Sequence, residues 1–161
     1  MPMFIVPNLI PQPLPPMYLP LMQAAIFMSF LAVASVLDIR ERVIPNRVCL
    51  FVAAAGLIFF SPVKLFGILV ALPLFIAALC KQGSIGGGDI KLTAAAGFVL
   101  GFENGVAGLV IGLAAMLIYH AVTKIIARLR SAEKKTVPLS LPMAPFLSIG
   151  FAITYLSGIY A

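Results

Sequence analysis

The sequence is poor in charge and in the side chains that usually build metal or redox sites. Only 10% of its 161 residues are charged, whereas soluble domains average about 25%. His120 is the single histidine, and the two cysteines, Cys49 and Cys80, form no Cys-x-x-Cys motif. A soluble domain, a histidine-based zinc site, a Ser-His-Asp triad and a redox dithiol are therefore poorly supported, and we expect no metal and no cofactor.

The sequence is instead rich in apolar residues. The chain is 62% hydrophobic, with a mean hydropathy of +1.13, and its apolar runs are continuous. Because a barrel needs alternation and an open sheet cannot satisfy its backbone in lipid, the pattern predicts an all-α, polytopic membrane helical bundle. The net charge of +6 does not predict nucleic-acid binding, since the basic residues lie between the apolar runs.

The apolar runs divide the chain into membrane spans. We predict six transmembrane helices in one domain, 18–161, at 18–37, 46–60, 64–80, 90–101, 104–123 and 142–159. The preceding segment 1–17 is uncharged and rich in proline, which lacks the backbone N–H that a helix uses. We expect this segment to form an irregular lead-in.

The basic residues predict the orientation of the bundle. Ten of the eleven lie in the links 38–47, 81–91 and 124–141, and only Lys64 lies on the other side. Lysine and arginine are enriched in cytoplasmic loops. Both termini are therefore expected outside, with these three links in the cytoplasm.

Two carboxylates stand out at the basic side of the bundle. Asp38 and Asp89 are the only aspartates, and each lies where a predicted span meets water. Carboxylates that persist near lipid are usually buried in protein or functional. Alone, Asp89 is explained as a helix cap, and Asp38 either as a charge offset by Arg42 or as a solvated loop residue. Together they suggest an acid–base pair of the kind that an aspartic peptidase uses.

The surroundings of Asp89 add two expectations. Only 14 residues separate it from Glu103, about 21 Å of helix against roughly 30 Å of hydrocarbon. We expect Asp89 to be recessed within the bundle; the alternative is a locally thinned bilayer with Asp89 at the interface. The preceding Gly86, Gly87 and Gly88 lack Cβ atoms, so they can adopt positive φ and let a peptide approach closely.

Three polar residues near the aspartates are further candidates. We expect Lys91, Arg42 and Asn46 to contact substrate or to tune the aspartates. The simpler role of the two basic residues is to set topology or to bind anionic lipid headgroups.

The motifs resemble those of a known family. The run Gly86–Asp89 fits the Gly-x-Gly-Asp signature of polytopic aspartic peptidases. Together with Asp38, the Ile44-Pro45-Asn46 that follows it and the late Pro142–Phe146, it resembles the type IV prepilin peptidase family. The resemblance covers roughly residues 20–160.

The resemblance implies a function and its residues. Asp38 and Asp89 would activate a water that cleaves the leader from prepilins or pseudopilins, at the cytoplasmic face of the bacterial inner membrane. Pilus assembly machinery is the further expected partner, besides the lipid bilayer. Larger members carry two Cys-x-x-Cys pairs and also N-methylate the product. This sequence lacks those pairs and is similar to the short, peptidase-only members that serve tight-adherence (Tad) pili.

Two points stay open at the level of sequence. A proton-coupled small transporter or channel, with the aspartates as proton carriers, is the alternative function, and a non-catalytic assembly subunit is a third. Within the pair, Asp89 is expected to begin a helix, whose dipole favours its charged form, and Asp38 to end one. That argument predicts an ionised Asp89 as general base and a protonated Asp38 as general acid, although Arg42 opposes it.

Overall fold

The protein is a bundle of helices in the part of the chain that the structure describes. The structure is a computed structural model that describes residues 18–80, 85–129 and 142–160. The predicted lead-in 1–17 lies outside those residues, as do 81–84 and most of the last basic link. The helices are α1 (Tyr18–Glu41), α2 (Asn46–Gly56) with a 3-10 turn (Leu57–Phe59), a 3-10 helix (Pro62–Ala71) leading into α3 (Leu72–Cys80), α4 (Gly87–Leu100), α5 (Phe102–Leu129) and α6 (Ala144–Tyr160).

Each predicted span corresponds to one helical segment, and the all-helical prediction is confirmed. Three segments are long and apolar enough to cross a membrane, namely Tyr18–Glu41, Pro62–Cys80 and Phe102–Ile126. Two further apolar segments, Asn46–Phe59 and Ala144–Gly158, are shorter. The coarse architecture of an apolar helical bundle therefore holds, while the count of six spans and the outward termini stay predictions.

α4 is the short helix in the middle of the bundle. It has 14 residues, about 21 Å of α-helix, and it contacts α2, the 3-10 helix, α5 and α6. Residues 95–100 are all buried. The backbone of Gly97 lies so close to that of Gly67 in the 3-10 helix that a Cβ on either glycine would collide with the carbonyl of the other. The short length predicted for the fourth span is confirmed, and its central packing is why α4 can be short.

α6 is held against α5 by small residues. A Cβ on Gly108 or Gly112 would meet the side chains or backbone of Phe151 and Leu147, and one on Gly150 would collide with the Gly108 carbonyl. Close approach of the two backbones increases van der Waals contact along the helices. This packing fixes the level of the α6 N-terminus relative to the rest of the bundle.

Buried hydrogen bonds tie α6 to α1. Ser35 Oγ donates to Ser148 Oγ at 2.9 Å, and the Tyr155 hydroxyl donates to Gln23 Oε1 at 3.1 Å. Gln23 Nε2 in turn donates to the Ala55 carbonyl of α2 at 2.9 Å. In a bundle core these bonds satisfy groups that would otherwise be costly to bury. The Gln23–Tyr155 bond joins the start of α1 to the end of α6, and the Ser35–Ser148 bond lies toward the opposite ends, so the two helices are held side by side in antiparallel directions.

Candidate active site

Asp38 lies in the last turn of α1 but is buried against another helix. Its side chain is 6% exposed, and its Oδ2 accepts a hydrogen bond from the backbone N–H of Ala144 at 2.9 Å. Ala144 is the first residue of α6. Asp38 therefore satisfies an N–H that α6 itself cannot, and the positive end of the α6 dipole faces its carboxylate.

A sharp turn follows Asp38. The backbone N–H of Arg42 donates to the Asp38 carbonyl at 3.1 Å, and Arg42 has a φ of 55°. A non-glycine residue in the left-handed region costs on the order of 1 kcal/mol, so the surrounding contacts must hold it there. The turn brings Ile44 into the core, 6% exposed, and Pro45 then caps the start of α2.

Asp89 lies in the first turn of α4 and folds back on the residue that caps that helix. Gly86 is the N-cap, the Asp89 N–H donates to the Gly86 carbonyl at 3.1 Å, and the Asp89 carboxylate hydrogen-bonds the Gly86 backbone. This is the arrangement in which the third helical residue reaches back to the cap. The side chain is nonetheless 8% exposed, more deeply buried than a surface cap requires.

The two aspartates come from different helices and lie close enough for their charges to interact. Asp89 lies ahead of the predicted span 90–101, and its pKa rises to about 6. The largest cause is burial, and the charge of Asp38 adds to it, while the Gly86 backbone hydrogen bond opposes the rise. A carboxyl with a raised pKa beside another carboxylate is the arrangement from which acid–base pairs are built.

The environments of the two carboxyls include groups on other helices, and the division of labour between the two aspartates stays a prediction. The prediction from helix ends considers only the helix that carries each aspartate. It leaves out the α6 N-terminus, whose Ala144 N–H favours a negative charge on Asp38, and the burial that favours a neutral Asp89. The Ala144 N–H thus stabilises a charged Asp38, while burial raises the pKa of Asp89.

Of the three glycines before Asp89, Gly88 serves close packing, and none of the three has an unusual backbone angle. Among the described glycines only Gly101 has a positive φ, so the expectation of positive φ at residues 86–88 is wrong. A Cβ on Gly88 would lie 2.9 Å from the Ile44 Cβ, whereas one on Gly87 would meet nothing within 4 Å. Gly88 thus lets the start of α4 lie against the turn that follows Asp38.

The structure brings Lys91 and Asn46 together on the exposed side of α2 and α4. Lys91 Nζ donates a hydrogen bond to Asn46 Oδ1 at 2.8 Å. Both residues line a largely apolar cleft of about 500 Å³ between α2, the 3-10 helix and α4. Their proposed roles toward a substrate stay predictions, and so does that of the Arg42 side chain.

Several groups at this site escaped the sequence analysis. The Ala144 N–H is a backbone group and carries no side-chain signal, although the run Pro142–Phe146 was noted. Cys49, which belongs to no Cys-x-x-Cys motif, is buried with its Sγ 3.9 Å from the Gly88 carbonyl. The Thr93 hydroxyl, one helical turn after Asp89, is fully buried without a hydrogen-bond partner. No cluster of three or more potential metal ligands occurs within the described residues.

Comparisons with known proteins identify the family. The sequence profile of the type IV leader peptidase family matches residues 25–124. The chain is 36% identical over 150 residues to a prepilin leader peptidase/N-methyltransferase of Bacillus subtilis (strain 168), a match that covers 87% of this chain and 57% of that relative. The chain thus spans little more than half the length of the relative. No solved structure matches. The protein belongs to the type IV leader peptidase family.

Proposed function

We propose that the protein is a membrane aspartic endopeptidase that removes the leader from prepilin or pseudopilin substrates. One observation carries the proposal. The only two aspartates of the sequence are both buried, and each lies at the N-terminus of a helix, close to the other. Burying two carboxyls side by side is costly unless they are used. Family membership and the name of the Bacillus relative support leader peptides as the substrate class.

The geometry supports a mechanism without a covalent enzyme intermediate. Ionised Asp38 takes a proton from a water, whose oxygen attacks the scissile carbonyl carbon. Protonated Asp89 gives its proton to the carbonyl oxygen, so that a neutral tetrahedral intermediate forms. As this intermediate collapses, the carbon–nitrogen bond breaks, the proton held by Asp38 passes to the leaving amine, and Asp89 regains its proton from the intermediate's hydroxyl. No metal or cofactor is needed for these steps.

The proposed location is the bacterial inner membrane, with the aspartates facing the cytoplasm. The support is the distribution of basic residues in the sequence: in the predicted six-span topology, ten of the eleven share the side of the aspartates and Lys64 lies on the other. Pilus assembly machinery, of the tight-adherence type, is the proposed partner. We also propose that the protein does not methylate its product, because it carries only two cysteines and no Cys-x-x-Cys pair.

The proposal is tested by co-expressing the protein with a prepilin from the same genome and measuring the mass of the pilin product, which falls when the leader is removed. We expect cleavage by the wild type, and loss of cleavage of more than a hundredfold in both Asp38→Asn and Asp89→Asn at matched abundance. Glu103→Gln is the matched control, since Glu103 is an exposed carboxylate in the first turn of α5.

Two results would contradict the proposal. Near wild-type cleavage by either aspartate variant removes the pair from the mechanism, and a product heavier by one methyl group, made by the purified protein with a methyl donor, removes the peptidase-only assignment. A proton-coupled transporter predicts a different pattern, namely no cleavage by the wild type and a proton flux that both variants abolish.

A further inference from the structure

Two buried oxygen atoms on α4 have no hydrogen-bond partner. They are Asp89 Oδ1 and Thr93 Oγ1, and across the described residues no other buried side-chain nitrogen or oxygen is left unpaired. Thr93 is completely buried, and Asp89 is 8% exposed. Residues four apart lie on the same face of an α-helix, so the two orphan atoms belong to side chains that are neighbours.

Thr93 behaves unlike the other threonines that the structure describes. A threonine inside a helix commonly donates its hydroxyl to the carbonyl four residues earlier. Thr154 donates in this way to Gly150 at 3.2 Å, and Thr123 donates to Tyr119 at 3.0 Å. The hydroxyl of Thr93 does not make this bond.

A purely structural role for Thr93 does not account for its hydroxyl. An unpaired buried hydroxyl costs about 1–3 kcal/mol, whereas valine has nearly the same shape and no such cost. Buried polar groups in folded proteins are almost always paired, directly or through water. Since Asp89 Oδ1 is the neighbouring orphan, a single interaction satisfies both.

The other oxygen of Asp89 is already held. Asp89 Oδ2 is the carboxyl oxygen next to Gly86, where a Cβ on the glycine would lie 3.1 Å from it. The carboxyl hydrogen-bonds the Gly86 backbone. One hydrogen bond leaves a carboxyl free to rotate about that contact, while a bond to each oxygen fixes its plane. Fixed orientation matters because a misplaced acid or base loses much of its catalytic effect.

We propose that Thr93 is a positioning residue for Asp89: its hydroxyl hydrogen-bonds Asp89 Oδ1, directly after side-chain rotation or through one buried water, and holds the carboxyl in its orientation toward Asp38. The inference rests on the proposed peptidase function for its kinetic consequence. Its structural claim, an interaction between Thr93 and the Asp89 carboxyl, is independent of the substrate.

The kinetic test compares three variants with the wild type. Thr93→Val removes the hydroxyl and keeps the shape, Thr93→Ser keeps the hydroxyl, and Thr154→Val is the matched control in another buried threonine. We expect kcat for prepilin cleavage to fall about tenfold in Thr93→Val with KM nearly unchanged, the loss typical of one hydrogen bond. Thr93→Ser is expected within about threefold of the wild type, and Thr154→Val close to it.

The kinetic result that overturns the inference is an equal effect of Thr93→Val and Thr154→Val on kcat. A change in Thr93→Val that is confined to KM also overturns the inference, because it shows an effect on substrate binding and not on the orientation of the Asp89 carboxyl. If Thr93→Val does not accumulate in membranes, Thr93→Ala serves as the second hydroxyl-free variant.

An infrared measurement tests the contact without any cleavage. The carboxyl band of Asp89 is identified as the band that Asp89→Asn lacks. We expect this band to shift in Thr93→Val, to return toward the wild-type position in Thr93→Ser, and to stay in place in Thr154→Val. An unshifted band in Thr93→Val overturns the inference even if the protein cleaves prepilin, whereas a wild type that cleaves nothing contradicts only the proposed function.

Discussion

At the scale of single residues, two identical side chains acquire different properties from their surroundings. Asp38 ends its own helix but lies at the start of α6, where the Ala144 N–H stabilises its charge. Asp89 begins its own helix but is buried, and its pKa is raised to about 6. Both carboxyls therefore lie at helix N-termini and both are buried, and what differs between them is the hydrogen-bond partner of each and the helix that supplies it.

The raised pKa of Asp89 predicts a pH-dependent stability. The folded state holds the proton more tightly than the unfolded state does, whose aspartate pKa is near 3.8. The stabilisation from protonated Asp89 is complete below about pH 4 and is lost as the pH rises through about 6. We expect Asp89→Asn to be more stable than the wild type above pH 6, by about 1–2 kcal/mol after solvent screening, with the gain vanishing near pH 4.

Thermal unfolding in detergent over a pH series measures this difference. Glu103→Gln is the control, because Glu103 is an exposed carboxylate in the first turn of α5. If the difference in unfolding temperature between Asp89→Asn and the wild type stays constant from pH 4 to pH 8, burial does not raise the pKa of Asp89.

At the scale of elements, the site is made where the start of α4 meets the turn after α1. The contact is between Gly88 and Ile44, and a Cβ at position 88 would lie 2.9 Å from the Ile44 Cβ. Cys49 of α2 touches the Gly88 carbonyl on the same side. Since both aspartates are attached to these two segments, their separation depends on how closely the segments approach.

Two neighbouring glycines make this dependence testable. We expect Gly88→Ala to push α4 away from the turn, to cost about 1–3 kcal/mol of stability as overpacking usually does, and to lose most of the cleavage activity. Gly87→Ala is the matched control, because its Cβ would enter open space, and we expect it to stay active. Cleavage rates at matched abundance measure the effect, and equal activities for the two variants would contradict the packing argument.

At the scale of the whole molecule, each carboxyl has a basic residue two positions after it on the same helix, Arg40 on α1 and Lys91 on α4. Arg40 is exposed near the end of α1, and Val63 is exposed at the opposite turn beside Lys64. If the basic end is cytoplasmic, these positions lie on opposite sides of the membrane.

Thiol labelling in intact cells tests this orientation. In a variant with Cys49 and Cys80 replaced by alanine, we expect Val63→Cys to react with a membrane-impermeant reagent, and Arg40→Cys to react only after the cells are permeabilised. The reverse pattern would place the aspartates outside and contradict a cytoplasmic active site.

The sequence by itself determined the helical architecture, the candidate pair and the shortness of the fourth helix. Continuous apolar runs leave few alternatives to helices in lipid, and a chain with two aspartates directs attention to both. The spacing from Asp89 to Glu103 sets the length of α4, since helix rise per residue is constant.

Only the tertiary structure decided what surrounds each carboxyl. The hydrogen bond from Ala144 to Asp38 joins positions far apart in the chain, and a backbone N–H leaves no mark in composition or spacing. The same is true of the Gly88 contact with Ile44 and of the unpaired hydroxyl of Thr93. Charge, burial and orientation at a site are set by neighbours in space, and helix ends read along one chain cannot supply them.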